Sequence, residues 1–122
     1  MTKKVLLVET DDFYVEVITT FVRLFLQHTL IFGRDLAHAL EQIATEKPDL
    51  VLLDLDCGRY EGIGIAEGMR DDPTLKHVPV LALSTNENNR DEALTRGCSA
   101  FLSKPFKVRE LKSLMQRLLS SK

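Results

Sequence analysis

Pro48-Asp49-Leu50-Val51-Leu52-Leu53-Asp54-Leu55-Asp56 is the stretch on which the reading of this chain turns. Leu50 to Leu53 follow one another with no polar residue between them. A strand with one face in water alternates apolar and polar side chains. An unbroken apolar run marks a strand covered on both faces, the signature of a parallel sheet. The run stops at Asp54 and Asp56. A second run, Val78-Pro79-Val80-Leu81-Ala82-Leu83, stops at Ser84-Thr85. Three shorter runs complete the set. Val5-Leu6-Leu7-Val8 leads into Glu9-Thr10-Asp11-Asp12, Ala100-Phe101-Leu102 leads into Ser103-Lys104-Pro105, and Leu30-Ile31-Phe32 stands between the first and third.

The segments between the runs have helical period. Val17, Phe21 and Phe25 line one face of the first. Leu36, Leu40, Ile43 and Ala44 line the second, Ile63, Ala66 and Met69 the third, Ala93 and Leu94 the fourth. Val108, Leu111, Met115 and Leu118 line the last. Asp11-Asp12, Asp35, and Asn88 or Asn89 stand where N-caps belong, and Pro48, Asp72-Pro73 and Gly97 where helices stop. Strand and helix alternating five times predicts an α/β domain. Its five-stranded parallel sheet is doubly wound in the order 2-1-3-4-5 with five helices, the flavodoxin-like arrangement. Its functional crevice lies at the carboxyl ends of strands one and three.

Composition bounds the rest. The 122 residues fit one domain, 1–122. No apolar run approaches the ~20 residues of a membrane span, and the first residues lead straight into a strand, so no secretory signal is read. Cys57 and Cys98 are too few for a disulfide framework, and His28, His38 and His77 are scattered; no metal site is assigned to them. Two reduced thiols suit a cytoplasmic protein, with Cys98 in the core. The net charge of −2 argues neither for nor against nucleic acid, and no direct nucleic-acid or membrane partner is expected. Its distribution is uneven: residues 90–122 carry eight Lys or Arg against three acids, and residues 1–89 eight against fifteen. That imbalance reads as solvated helix faces or as a basic docking surface.

In the expected topology the ends of strands one, three, four and five share one edge. They bring Glu9, Asp54, Ser84 and Lys104 around one cleft. A carboxylate there can act as a nucleophile and form an acyl phosphate. Phosphoryl transfer then needs neutralisation of charge more than covalent help. Magnesium held by one or two carboxylates, a fixed lysine and a hydroxyl supply it.

Over its whole length the sequence resembles the receiver domain of bacterial response regulators. The resemblance is carried by Val5-Leu6-Leu7-Val8-Glu9, Pro48 through Leu55, Glu61-Gly62, Val78 through Ser84, and Lys104-Pro105-Phe106. It implies that Asp54 is the phosphoacceptor, that Ser84 is the switch hydroxyl, and that Lys104 pairs with the phosphoryl group across a cis bond to Pro105. It implies that Phe101 is the aromatic that changes rotamer. Glu9 and Asp54 would hold Mg2+ together with the backbone carbonyl of Asp56, and Asp56 and Asn86 match positions that tune phosphoryl loss. The partners implied are a histidine kinase or phosphotransfer protein and a downstream effector protein or domain. The effector would use the face of the fourth helix, fifth strand and fifth helix, where Arg90, Arg96, Lys107, Arg109 and Lys112 fall; a homodimer is left open. The chemistry is self-modification with slow loss of phosphate, not enzymatic turnover.

Three departures stand out. Thr10 occupies the place of the second acid, usually a direct metal ligand, and a neutral hydroxyl is a weaker one. Cys57-Gly58 replaces the frequent Met-Pro, and Glu61 replaces Asp. A pseudo-receiver that signals by binding alone is therefore the alternative. An aspartate-nucleophile phosphatase is disfavoured because its acid-x-acid motif follows the first strand, whereas Asp54-Leu55-Asp56 follows the third. An FMN binder is disfavoured because the first loop is acidic and lacks a phosphate cradle.

Overall fold

The computed structural model describes residues 2–33 and 35–120, with the side chain of Arg59 left aside. Five strands alternate with five helices: β1 (Lys4–Val8), α1 (Asp12–Thr20), β2 (Thr29–Phe32), α2 (Leu36–Glu46), β3 (Leu50–Asp54), α3 (Arg59–Asp71), β4 (Val80–Ser84), α4 (Arg90–Thr95), β5 (Ala100–Ser103) and α5 (Val108–Ser120). All strand pairs are parallel, and the sheet order is 2-1-3-4-5. No helix among the described residues is long and apolar enough to cross a membrane.

Period two explains why the apolar runs had to be unbroken. In β3, Leu50 and Leu52 pack with Ile18, Phe21, Val22, Leu111 and Met115, the side covered by α1 and α5. Val51 and Leu53 point the other way, to Ala39, Ile43, Ile63, Ala66 and Met69 on α2 and α3. Every residue of β3 is buried, and each such leucine contributes about 1.5–3 kcal/mol relative to exposure.

Several helix faces differ from their expected stripes. On α1 the core takes Ile18, Phe21 and Val22, whereas Val17 is half-buried and Phe25 lies in solvent. The register moves because α1 runs into a wider π-helical turn at Phe21–Phe25, which rotates the last ring outward. On α2 the buried line is Ala39 and Ile43, with Leu36 half-buried and Leu40 and Ala44 exposed. Spacings of three and four both fit a helix, so the sequence alone leaves the stripe one residue uncertain. Leu94 and Val108 are likewise exposed at the ends of their stripes. Val78-Pro79 precede β4 and do not belong to it; the Pro79 carbonyl accepts from the Val51 N–H at 3.0 Å.

Asp11 and Asp35 cap α1 and α2 through bonds to Phe13 N and His38 N. Asn89 holds the N-cap position of α4 as expected but without a side-chain capping bond, its amide turning inward to Ser84 on β4; Asn86 caps the preceding turn by accepting from Asn88 N. The last turn of α4 is pinned to α3. Arg96 binds both carboxylate oxygens of Glu67 at 2.8 and 2.9 Å and Glu92 at 2.7 Å, so its charge is engaged within the fold and is no free member of a basic docking face. Beyond it Gly97 takes φ +136°, with the Ala66 backbone 3.1 Å from where a Cβ would stand. Only glycine fits there, and its carbonyl accepts from Arg70 Nε at 3.1 Å.

Candidate functional site

The strand register sets the site. Val8 lies beside Leu53, Asp54 beside Leu83, and Ser84 beside Ser103. Glu9 and Lys104 each follow by one residue. Alternation continued through these ends sends residues 9, 54 and 104 toward the α1–α5 side and Ser84 toward the other. The first three meet directly. Lys104 Nζ lies 2.9 Å from Glu9 Oε1 and 3.1 Å from Asp54 Oδ1, and all three side chains are almost wholly buried. The Lys104–Pro105 peptide bond is cis, and the Lys104 N–H donates to the Ser84 carbonyl at 2.8 Å. The ammonium also sits 4.4 Å from the centre of the Tyr14 ring, a cation–π contact.

Ser84 reaches the group through Asp56. The tight turn at Leu55–Cys57 is closed by a bond from the Asp56 N–H to Asp54 Oδ1 at 2.9 Å. It returns the Asp56 carboxylate to the cleft, where it accepts from Ser84 Oγ at 2.9 Å and lies 3.8 Å from Lys104 Nζ. Asp54 Oδ2 faces the Cys57 thiol, which donates to it at 3.2 Å. Thr10 Oγ1 is 3.3 Å from the same sulfur. Asp11 points away, accepting from Phe13 N.

Electrostatics follow from burial and crowding. Burial, then its bond to Asp54, pushes the Glu9 carboxyl up to about 7. Burial would also raise Asp54. The bonds from Glu9, the Asp56 N–H and Cys57, with the Lys104 charge, outweigh it and hold that carboxyl below its usual range. Lys104 loses by burial but gains more from Glu9 and Asp54, so it stays charged. Burial pushes the Cys57 thiol up to about 11, leaving it a neutral donor.

One ammonium thus serves two buried carboxyls, and Glu9 holds a proton near neutrality. Among the described residues no cluster of three or more His, Cys, Asp or Glu side chains is disposed to hold a metal ion. Magnesium asks for less: it keeps several waters and needs one or two carboxylates. Glu9 would release its proton on binding a divalent ion there, so that both carboxylates face it, with Thr10 as a weak neighbour.

Phe101 is buried on β5 under the Arg90 guanidinium, 5.8 Å from its ring centre. The two line a groove of about 560 Å³ with Pro105, Arg109 and Leu114, between α4 and α5. Tyr14 joins the site with no signal in the sequence, whereas Cys57, Thr85 and Asn89, noted there as a departure, a strand end and a cap candidate, take places in the cleft that those readings do not give them.

Residues 5–116 match the response regulator receiver domain. The polar-differentiation response regulator DivK of Brucella ovis is 31% identical over 110 residues, 88% of this chain and 89% of that protein. The receiver domain of the sensor histidine kinase PA1611 from Pseudomonas aeruginosa PAO1, solved with a magnesium ion in its active-site cleft, superposes with a TM-score of 0.87 at 27% identity, covering 99% of this chain and 100% of that one. A response regulator structure from Chloroflexus aurantiacus gives a TM-score of 0.89 at 23% identity over 98% of this chain and 99% of that one, a likeness of fold.

Proposed function

The chain belongs to the response regulator receiver family, and from that premise we propose that Asp54 accepts a phosphoryl group from a histidine kinase or phosphotransfer protein. The observation that carries this reading is the state of Asp54. It is a buried carboxylate kept ionised, with one oxygen held by Lys104 and the Asp56 N–H, the other facing the weak Cys57 thiol donor, and Glu9 bonded beside it. An Asp54 oxygen attacks phosphorus as the donor's P–N bond breaks, and the imidazole, protonated on its other ring nitrogen, leaves as the neutral ring. The product is an acyl phosphate carrying about −1.5 to −2 charges by analogy with phosphoserine. Lys104 neutralises part of that charge.

Magnesium, when bound by Glu9, Asp54 and the Asp56 carbonyl, would supply the remaining positive charge. Ser84 turns to the phosphoryl oxygens, Phe101 changes rotamer behind it, and the α4–β5–α5 face changes its affinity for an effector protein or domain. Residues 1–122 act as one receiver domain in this reading. Its output is binding and not turnover, and the two free thiols suit a cytoplasmic setting.

A second reading is a pseudo-receiver that switches by binding alone; Thr10, neutral and turned to Cys57, favours it. Incubation with acetyl phosphate and magnesium, followed by intact mass, separates the two. A gain of one phosphoryl group that disappears in Asp54→Asn is expected. An unchanged mass after prolonged incubation selects the pseudo-receiver.

A further inference from the structure

Ser84 has one hydroxyl proton and two lone pairs to place. Its oxygen accepts from Asn86 N–H at 3.0 Å and from Asn89 Nδ2 at 3.1 Å. Its proton is therefore committed to the remaining partner, Asp56 Oδ1, at 2.9 Å. The same carboxylate takes the Thr85 backbone N–H on both oxygens, at 3.0 and 3.2 Å, and stands 3.8 Å from the Lys104 ammonium. A hydroxyl, an amide and an ammonium from the ends of β4 and β5 thus converge on one anionic group. Two of the three, Ser84 and Lys104, are the groups assigned above to the phosphoryl oxygens.

We infer that the Asp56 carboxylate is a resident stand-in for the phosphoryl group, occupying in the unmodified chain the cradle that an incoming phosphate must take. A carboxylate resembles one face of a phosphoryl group, with two oxygens sharing negative charge and accepting from the same donors. The turn at Leu55–Cys57 delivers it from the residue two beyond the acceptor, close enough to compete and free to swing out because it is partly exposed. A plain loop-capping role accounts for the Thr85 amide. It does not account for a switch hydroxyl whose only proton is spent on Asp56. Loading the cradle then requires Asp56 to release Ser84, Thr85 and Lys104 together, so this residue sets how readily an anion enters.

The inference rests on the phosphoacceptor reading for the identity of the anion, and the test separates the two. Inorganic phosphate is titrated against the chain and Asp56→Asn, read by NMR on the backbone amides of Thr85 and Asn86. The variant keeps an acceptor for the Thr85 N–H but loses the charge. Replacing a charge-assisted competitor by a neutral one is expected to tighten phosphate binding about tenfold. Equal or weaker binding, or no detectable binding by either chain, overturns the stand-in. In parallel both chains receive acetyl phosphate and magnesium, with intact mass as readout. Tighter phosphate binding by the variant without a mass gain in either chain leaves the stand-in and removes the phosphoacceptor reading. Equal phosphate affinity with equal mass gain does the reverse.

Discussion

At the carboxyl edge of the sheet this chain buries its charges, while along the outer side of α1 it leaves aromatic rings in water. Glu9, Asp54 and Lys104 are almost inaccessible, yet Phe13 is 65% and Phe25 72% exposed beside a groove of about 620 Å³ that also takes Val17 and Val108. The two regions teach different lessons about burial. An exposed ring forgoes stabilisation but breaks no rule, since much of any protein surface is apolar. A buried ion cluster costs desolvation that packing would not tolerate unless the charges were paired. The expensive region is therefore the informative one, and in it function has overridden economy.

The contrast can be broken most sharply at Lys104. Lys104→Met leaves two buried carboxyls without their cation and is expected to cost about 3–5 kcal/mol in urea unfolding at neutral pH; a loss under 1 kcal/mol would mean that the cluster is wetter than its burial indicates. Ile18→Ala, on the core face of α1, should cost about 2–5 kcal/mol in the same assay. Thr10→Asp restores an acid next to Glu9 and is expected to tighten magnesium binding about tenfold or more, measured by titration calorimetry; unchanged affinity would show that residue 10 does not face the ion. The pH dependence comes next. Glu9 is raised from 4.5 to about 7, so folding holds its proton. That contribution is complete below about pH 4.5 and is lost as the pH climbs through 7. The chain should lose stability between pH 5 and 8 relative to Glu9→Gln, which cannot titrate; parallel curves would exclude the shift. Phe25→Ser should be the smallest effect, within about 0.5 kcal/mol. A large loss would place that ring in the core after all.

The pair Ile18 and Phe25 also marks where the sequence stops being legible. Strands were readable because a parallel strand needs both faces apolar, and Leu50 to Leu53, too short for a helix and bounded by Pro48 and Asp54, fit that arrangement. The sheet order then brings residues 9, 54 and 104 to one edge by alternation alone. Helix faces were less readable. Val17-Phe21-Phe25 and Ile18-Phe21-Val22 are both valid helical stripes, and only packing against β3 chooses between them. The bonds from Asp56 to Ser84 and from Asn89 to Ser84 depend on turns whose path no periodicity encodes. Departures from the family pattern were visible as letters, Thr10 and Cys57 among them. That these two would face each other across the cleft was not.

The brace at the end of α4 limits how that helix can move. Arg96 ties its last turn to Glu67, and the next residue is anchored by Arg70, whereas its first turn rests on Asn89 and, through it, on Ser84. In the proposed switch a displacement of Ser84 would be felt first at the Arg90 end, while the Arg96 end is held by its two ion pairs. Salt that screens these half-exposed ion pairs would loosen that hold and blunt the difference between the two ends.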